Sequence, residues 1–225
     1  MERGTGTPHA TSSTESSIPI VGMGYFYVTK EGIRRRDEMA KEMAETSANP
    51  PELASVGGAG DEAISQARAT GDILKCLLVR CLTSRNVFAH VVPQKGDDEY
   101  HYCAKLAVDD IEWRGHTKVI INTDNERSIV ALKQRVAKTL KELKSMENVQ
   151  TESPAAYESQ SNGGVGVGVK LVRWLFRTLK LCMDAPINHA MILWLLQHTS
   201  TLLNAKSSGS DGLTCWERIE GRMFN

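Results

Sequence analysis

No surplus charge of either sign marks this chain. Its 225 residues carry 27 basic and 27 acidic side chains, a formal net charge of zero. Nonspecific affinity for nucleic acid comes mostly from neutralising phosphates. The lack of a global basic field therefore argues against a chain that clings to DNA as a whole, and leaves only a local basic stripe to do so. Paired cysteine motifs are also missing. Cys76, Cys81, Cys103, Cys182 and Cys215 are odd in number and scattered, with no C-x-x-C and no zinc-finger spacing with histidine. That pattern argues against a disulfide framework and reads as reduced, buried thiols of an intracellular protein, nuclear or cytoplasmic. The polar N-terminus lacks an apolar signal core. The most apolar run, Ala190 to Leu196, is too short to cross a bilayer and gives way to Gln197-His198-Thr199-Ser200, so no membrane partner is expected. Gly164-Val165-Gly166-Val167-Gly168 lacks both a preceding strand and the G-x-G-x-x-G spacing, which excludes a Rossmann nucleotide site.

What is present reads as one domain with loose ends. Residues 1–17 are rich in Ser, Thr and Gly with little to bury, and are expected to be disordered. The domain then spans 18–225. Ile18 to Thr29 is β-branched and aromatic, as a first strand should be, although Gly22 and Gly24 weaken it. Residues 30–71 read as a surface insertion, with a charged helical piece around Gly32 to Thr46 followed by Asn49-Pro50-Pro51 and Gly57-Gly58-Ala59-Gly60. Ile73 to Leu82 and Val87 to Val92, joined by a short polar link, form a hairpin candidate.

A helix is expected from the acidic Asp97-Asp98-Glu99 to Trp113, with Cys103, Leu106, Ala107 and Ile111 on one face. Further helices are expected over 128–144, 165–183 and 188–204, with a short strand at Val149 to Thr151. Strands followed by alternating helix and strand point to an α/β fold, a mixed central sheet of about five strands flanked by helices.

The stretch Thr117 to Leu132 organises the rest. Val119-Ile120-Ile121 is a buried strand signal, and the chain passes through Asn122-Thr123-Asp124-Asn125 straight into a helical pattern. Asp124 thus stands at the C-terminal end of a strand, where open α/β sheets place ligand chemistry. Taken without its flanking segments, it reads rather as a cap of the helix that follows. Three other pieces stand around it: Phe88-Ala89-His90-Val91-Val92-Pro93-Gln94-Lys95-Gly96, Ser159-Gln160-Ser161-Asn162-Gly163-Gly164, and Asp211-Gly212-Leu213-Thr214-Cys215-Trp216-Glu217-Arg218. Taken together these segments resemble the integrase catalytic cores of retroviral and retrotransposon polyproteins.

That resemblance implies a ribonuclease H-like fold and DNA integration chemistry. It also implies two aspartates and a glutamate that hold divalent magnesium or manganese for DNA strand cutting and joining. Carried over residue by residue, Asp124 is the retained acid and metal ligand, while the other two acid positions fall on Gly24 and Gly166. One carboxylate cannot hold two hard divalent ions. The expectation is a degenerate, catalytically inactive core that binds metal weakly or not at all. Glu126, Glu158 and Asp72 occupy none of the family's acid positions. The chain shows neither the zinc-binding N-terminal module of many integrases nor their C-terminal DNA-binding module.

A basic stripe is the second constellation. Lys170, Arg173, Arg177 and Lys180 recur at helical spacing and share one face, with Gly166 four residues before Lys170. Phosphate contact requires such a face, although plain solvation of a helix accounts for it equally well. Val169, Val172, Phe176, Leu179 and Met183 form the adjoining apolar face. His90, in an apolar strand, reads as a core histidine, and Trp174, Trp194 and Trp216 as packing or interface residues. Leu195-Leu196 and Leu202-Leu203 exceed what one stripe hides, which suggests a homo-oligomer through an apolar helix surface.

Three functions follow. The first is an inactive integrase-like core that binds DNA weakly. The second is an active metal-dependent polynucleotidyl transferase or nuclease with a substituted ligand set. The third is a non-catalytic interaction remnant.

Overall fold

The computed structural model describes residues 18–29, 32–34, 73–152, 163–183 and 190–224. Its strands are β1 (Ile20–Thr29), β2 (Gly32–Arg34), β3 (Ile73–Cys81), β4 (Val87–Val91), β5 (Lys118–Thr123) and β6 (Asn148–Glu152). Its helices, in chain order, are α1 (Tyr102–Trp113), α2 (Arg127–Glu142), α3 (Gly163–Leu181), α4 (Ala190–Lys206) and α5 (Cys215–Glu220). One mixed sheet has the order β4-β3-β1-β5-β6, with β2 on β1 as well. β3 pairs antiparallel with β1 and β4, whereas β5 pairs parallel with β1 and β6. Three antiparallel strands continued by two parallel ones, with helices on both faces, make the ribonuclease H-like fold.

Strand alternation decides which helix covers which face. On one face Val21, Met23, Leu77, Val79, Val119 and Ile121 pack with Cys103, Ala107 and Ile111 of α1 and Ile129, Leu132 and Val136 of α2. On the other, Phe26, Val28, Cys76, Leu78 and Ala89 pack with Val169, Val172 and Phe176 of α3 and Ile192, Leu195 and Leu196 of α4. The face expected of Val169 to Met183 is therefore the one buried, with Leu179 and Met183 at its margin.

Four local differences from the sequence expectation have physical causes. Gly32–Arg34 begins no helix; it pairs back onto Tyr27–Thr29 as a short strand. Residues 1–17 and 35–72 lie outside the described residues, as does the Ser159 to Asn162 turn. α1 starts at Tyr102 rather than Asp97, because His101 adopts a left-handed φ of 53° that breaks the helix. The acids still serve it from outside: Asp98 Oδ1 accepts from Tyr102 N (2.9 Å), and Asp97 holds His101 and Arg135 (2.7 and 2.6 Å). α5 is absent from the sequence expectation, although T-x-x-E signals it. Thr214 Oγ1 accepts from Glu217 N (3.1 Å) and Glu217 Oε2 from Thr214 N (2.7 Å), a reciprocal cap. Finally, Leu195, Leu196 and Leu203 are buried in the chain's own core rather than facing outward, because α4 is wedged between β4 and α3. Met191, Leu193 and Trp194 are its exposed apolar residues instead.

The edge strand β4 is closed off by side chains. The Asn204 amide donates to Val87 O and accepts from Val87 N, both at 2.8 Å. Phe88, Trp113, Trp216 and Phe224 run in contact alongside, with centroids 5.4, 5.6 and 4.9 Å apart. His90, expected as a satisfied core histidine, is half-buried, with Nε2 2.8 Å from Asp110 Oδ2 and its Nδ1 without a hydrogen-bond partner among the described residues. Asn204→Ala strands two buried backbone groups at once. It should lower the unfolding free energy by about 2–4 kcal/mol in urea titration; a loss under about 0.5 kcal/mol would mean that water replaces the amide.

Candidate functional site

Where β1 and β5 run in parallel, Gly22 pairs with Asn122 and Met23 with Thr123. Gly24 and Asp124 come one residue later, on neighbouring strands about 4.8 Å apart. α3 begins directly over them. A Cβ built on Gly22 would meet Val165 Cγ2 at 2.6 Å, and one on Gly24 would meet Val165 Cγ1 at 2.8 Å. Gly166 follows Val165 in the first turn of α3. The three positions singled out in the sequence thus lie at one end of the sheet, with Val165 filling the space above both strand glycines.

Asp124 itself is turned back on its own chain. Its Oδ1 accepts from Glu126 N at 3.1 Å, a local turn that leads into α2. Glu126 Oε1 in turn receives Ser128 Oγ and Lys95 Nζ, each at 2.8 Å. The Lys95 ammonium also lies 5.3 and 5.2 Å from the ring centres of Tyr25 and Tyr27. Burial pushes the Tyr25 hydroxyl well above its usual pKa, so it stays protonated while accepting from Gly96 N at 2.8 Å. Buried Lys133 places Nζ 2.8 Å from Glu152 O. Burial lowers its pKa and the Asp124 charge opposes that, so the acid already has a cation in its field.

A pair of divalent ions at this place needs a cluster of carboxylates. Asp124 supplies one. Asn122 adds a side-chain oxygen, buried and without a hydrogen-bond partner, but no charge. Among the described residues no three His, Cys, Asp or Glu side chains gather where a metal could be held. The residues present do not fit a metal pair. Asn122 and Lys95 stand in segments singled out in the sequence, but nothing local signals their surroundings, and nothing signals Lys133, whose partner Glu152 is 19 residues away.

Lys170 and Arg177 are exposed on α3, and Arg173 and Lys180 are half-buried. Trp174, 68% exposed, stands among them with Leu181, and together with Lys170, Arg173, Arg177 and Thr178 they line an open depression of about 420 Å³. Lys180 lies outside it. The stripe runs roughly 21 Å along the helix from Gly166 at 1.5 Å per residue. Cations beside an exposed indole can contact phosphates and stack a base. Of the three tryptophans read as packing or interface residues, Trp216 packs inside the aromatic run, Trp174 is bare, and Trp194 stacks on His198 at 4.6 Å while staying half exposed.

Fold and site together define a ribonuclease H-like α/β domain with one acid at the sheet end and a basic helix beside it. No protein-family model and no curated protein matches the chain. Among solved structures it is similar to the catalytic core domain of BIV integrase, at 18% identity and a TM-score of 0.47, over 66% of this chain and 86% of that one. Strand order and register, three antiparallel strands continued by two parallel ones, define the fold. No helix among the described residues is long and apolar enough to cross a membrane.

Rebuilding an acid at position 24 is therefore a packing problem as well as a charge problem. Gly24→Asp should destabilise the domain by about 1–3 kcal/mol through overpacking against Val165, and Val165→Ala in the same protein should recover part of that loss. Urea midpoints of the two variants check it; a double variant no more stable than Gly24→Asp alone would place the strain elsewhere.

Proposed function

We propose that this chain is an integrase-like core that binds nucleic acid through α3 and has lost the metal pair of the family it resembles. The observation that carries the reading is the placement of Gly24 beside Asp124 under the first turn of α3. Carboxylates belong there in the resembling family, and this chain has a glycine sealed by Val165. The basic stripe starts one turn further along the same helix, which suits a backbone laid across the sheet end. Binding by four or fewer phosphate contacts on a chain of zero net charge is weak and falls steeply with salt.

A second reading, a protein-interaction remnant, is favoured by the exposed Trp174, Leu181, Met191, Leu193 and Trp194 on α3 and α4. These are enough apolar surface to cover with a partner or a second copy. The two readings separate in solution: the first needs DNA retention at low salt, the second none.

Replacing Lys170, Arg173, Arg177 and Lys180 together with alanine should flatten the dependence of log affinity on log salt, by roughly 0.9 for each duplex phosphate that the variant no longer neutralises. Fluorescence anisotropy of a short duplex across a salt series measures it, and an unchanged slope would move binding off α3.

The protein as written should not nick a short duplex with magnesium or manganese, since the mutual repulsion of two divalent ions is left mostly uncompensated by Asp124 alone. Metal-dependent nicking by this protein, abolished in Asp124→Asn, would overturn the inactive reading and establish an enzyme with a substituted ligand set. A Gly24→Asp, Val165→Ala, Gly166→Glu protein restores the three-carboxylate set and is the arm expected to gain metal-dependent cutting.

A further inference from the structure

Three guanidinium groups line one pocket that Asp124 does not enter. Arg80 at the end of β3, Arg85 in the β3–β4 turn and Arg218 of α5 line a pocket of about 200 Å³ whose apolar wall is Val87, Leu171 and Leu203. No carboxylate is among the described residues that line it. The three cations differ in how far they are already committed.

Arg218 is a structural tie. Its Nε and Nη2 bind the Asp211 carboxylate at 3.0 and 2.5 Å, and it also donates to Leu213 O and Ser84 O at 2.9 and 3.2 Å. The paired arginine holds Asp211 down to about 2, so those two charges cancel. Arg80 is 8% exposed; it donates one Nη1 bond to Gly164 O, and its buried Nε has no partner. Arg85 is exposed, adopts a left-handed φ of 63°, and makes no hydrogen bond or ion pair among the described residues. Gly209 makes the crowding possible. A Cβ there would meet Asp211 Oδ1 at 2.8 Å and Arg85 Nη1 at 2.9 Å and would also strike Arg218 Nη2, so only glycine lets the Arg218–Asp211 pair and Arg85 crowd together. The Asn204 amide is taken up by Val87, so it answers neither cation.

The nearly buried Arg80 charge is costly to hold beside an apolar wall without a carboxylate partner among the described residues, and the exposed Arg85 charge adjoins it. Burial lowers the pKa of Arg80, and the nearby Arg85 charge adds to that strain. A compact anion with several acceptor oxygens offsets both charges, and guanidinium forks match phosphate geometry.

The geometry points to a binding pocket for a phosphate group, held by the Arg80 and Arg85 guanidiniums, with Arg218 and the Ser207 and Ser208 residues at its border. The pocket is separate from the α3 stripe and independent of the proposed function. Its occupant is free inorganic phosphate or the terminal phosphate of a nucleic-acid strand, the rest of which would stay outside so small a space.

The test is titration calorimetry with thermal unfolding on the full chain, at constant ionic strength set with sodium chloride. Inorganic phosphate is one ligand; a 5′-phosphorylated trinucleotide and its 5′-hydroxyl counterpart are the others. Phosphate in either form should raise the unfolding midpoint beyond chloride, as a ligand of the folded state does. Arg85→Ala, at an exposed turn, should fold normally and bind at least about tenfold more weakly, as the loss of a charge-assisted hydrogen bond implies. Lys138→Ala, on exposed α2 surface, should bind as the parent does. Binding by inorganic phosphate assigns the pocket to the free ion, and binding by the 5′-phosphorylated strand alone assigns it to a strand end. No effect beyond chloride from either ligand, equal binding by both trinucleotides without any response to inorganic phosphate, or undiminished phosphate binding in Arg85→Ala would overturn the proposal.

Discussion

The close approach of α3 to β1 is the constraint on which the rest depends. Four side chains are missing where the helix meets the sheet. Gly22 and Gly24 make the hollow that Val165 fills, Gly164 yields to Leu82, and Gly168 yields to Leu78 and Arg80. Each helical glycine costs about 1 kcal/mol relative to alanine. The offset is the full burial of Val169, Val172 and Phe176 in the core, at about 1.5–3 kcal/mol each. Wider residues would push the helix out and open that core. The same fit sets the chemistry, because the space a carboxylate at position 24 needs is the space that Val165 occupies.

Two arrangements of positive charge surround this helix, and they are physically unlike. The α3 stripe is extended, and water solvates its cations. The Arg80 and Arg85 pair is compact, and Arg80 is nearly buried beside Val87, Leu171 and Leu203, so its charge interacts more strongly with whatever enters. A solvated row suits a long, uniform polyanion. A walled pair suits a single small group.

Legibility in the sequence follows the range of the interaction. The Ile20 and Lys118 strands, the 73–91 hairpin and the helical stripe of Lys170 to Lys180 all express themselves within a few residues, so period and spacing are enough to find them. Asp124 stands out by its position between a β-branched run and a helix. The start of α1 escapes such reading because Asp97 and Asp98 bond across the break at His101, which no helix-start rule foresees from acidity alone. α4 misleads because a second covered face on a helix wedged between β4 and α3 looks, in one dimension, like an exposed apolar surplus. The sealing of Gly24 by Val165, and the meeting of Arg80 with Arg218, join segments more than a hundred residues apart, and no local pattern encodes them.

β1 lies at the centre of the sheet and comes first among its strands. Its antiparallel neighbour β3 follows after some forty residues, but its parallel neighbour arrives later still: Ile20 pairs with Ile120. At synthesis rates of about 5–20 residues per second, that edge waits roughly 5–20 s for its partner. Through this interval an apolar strand with unmet backbone groups is open to the wrong neighbour, and non-local pairing of this kind is slow to close. Kinetic vulnerability is thus written into the topology, and it ends when residues 118–123 pair with Ile20–Met23.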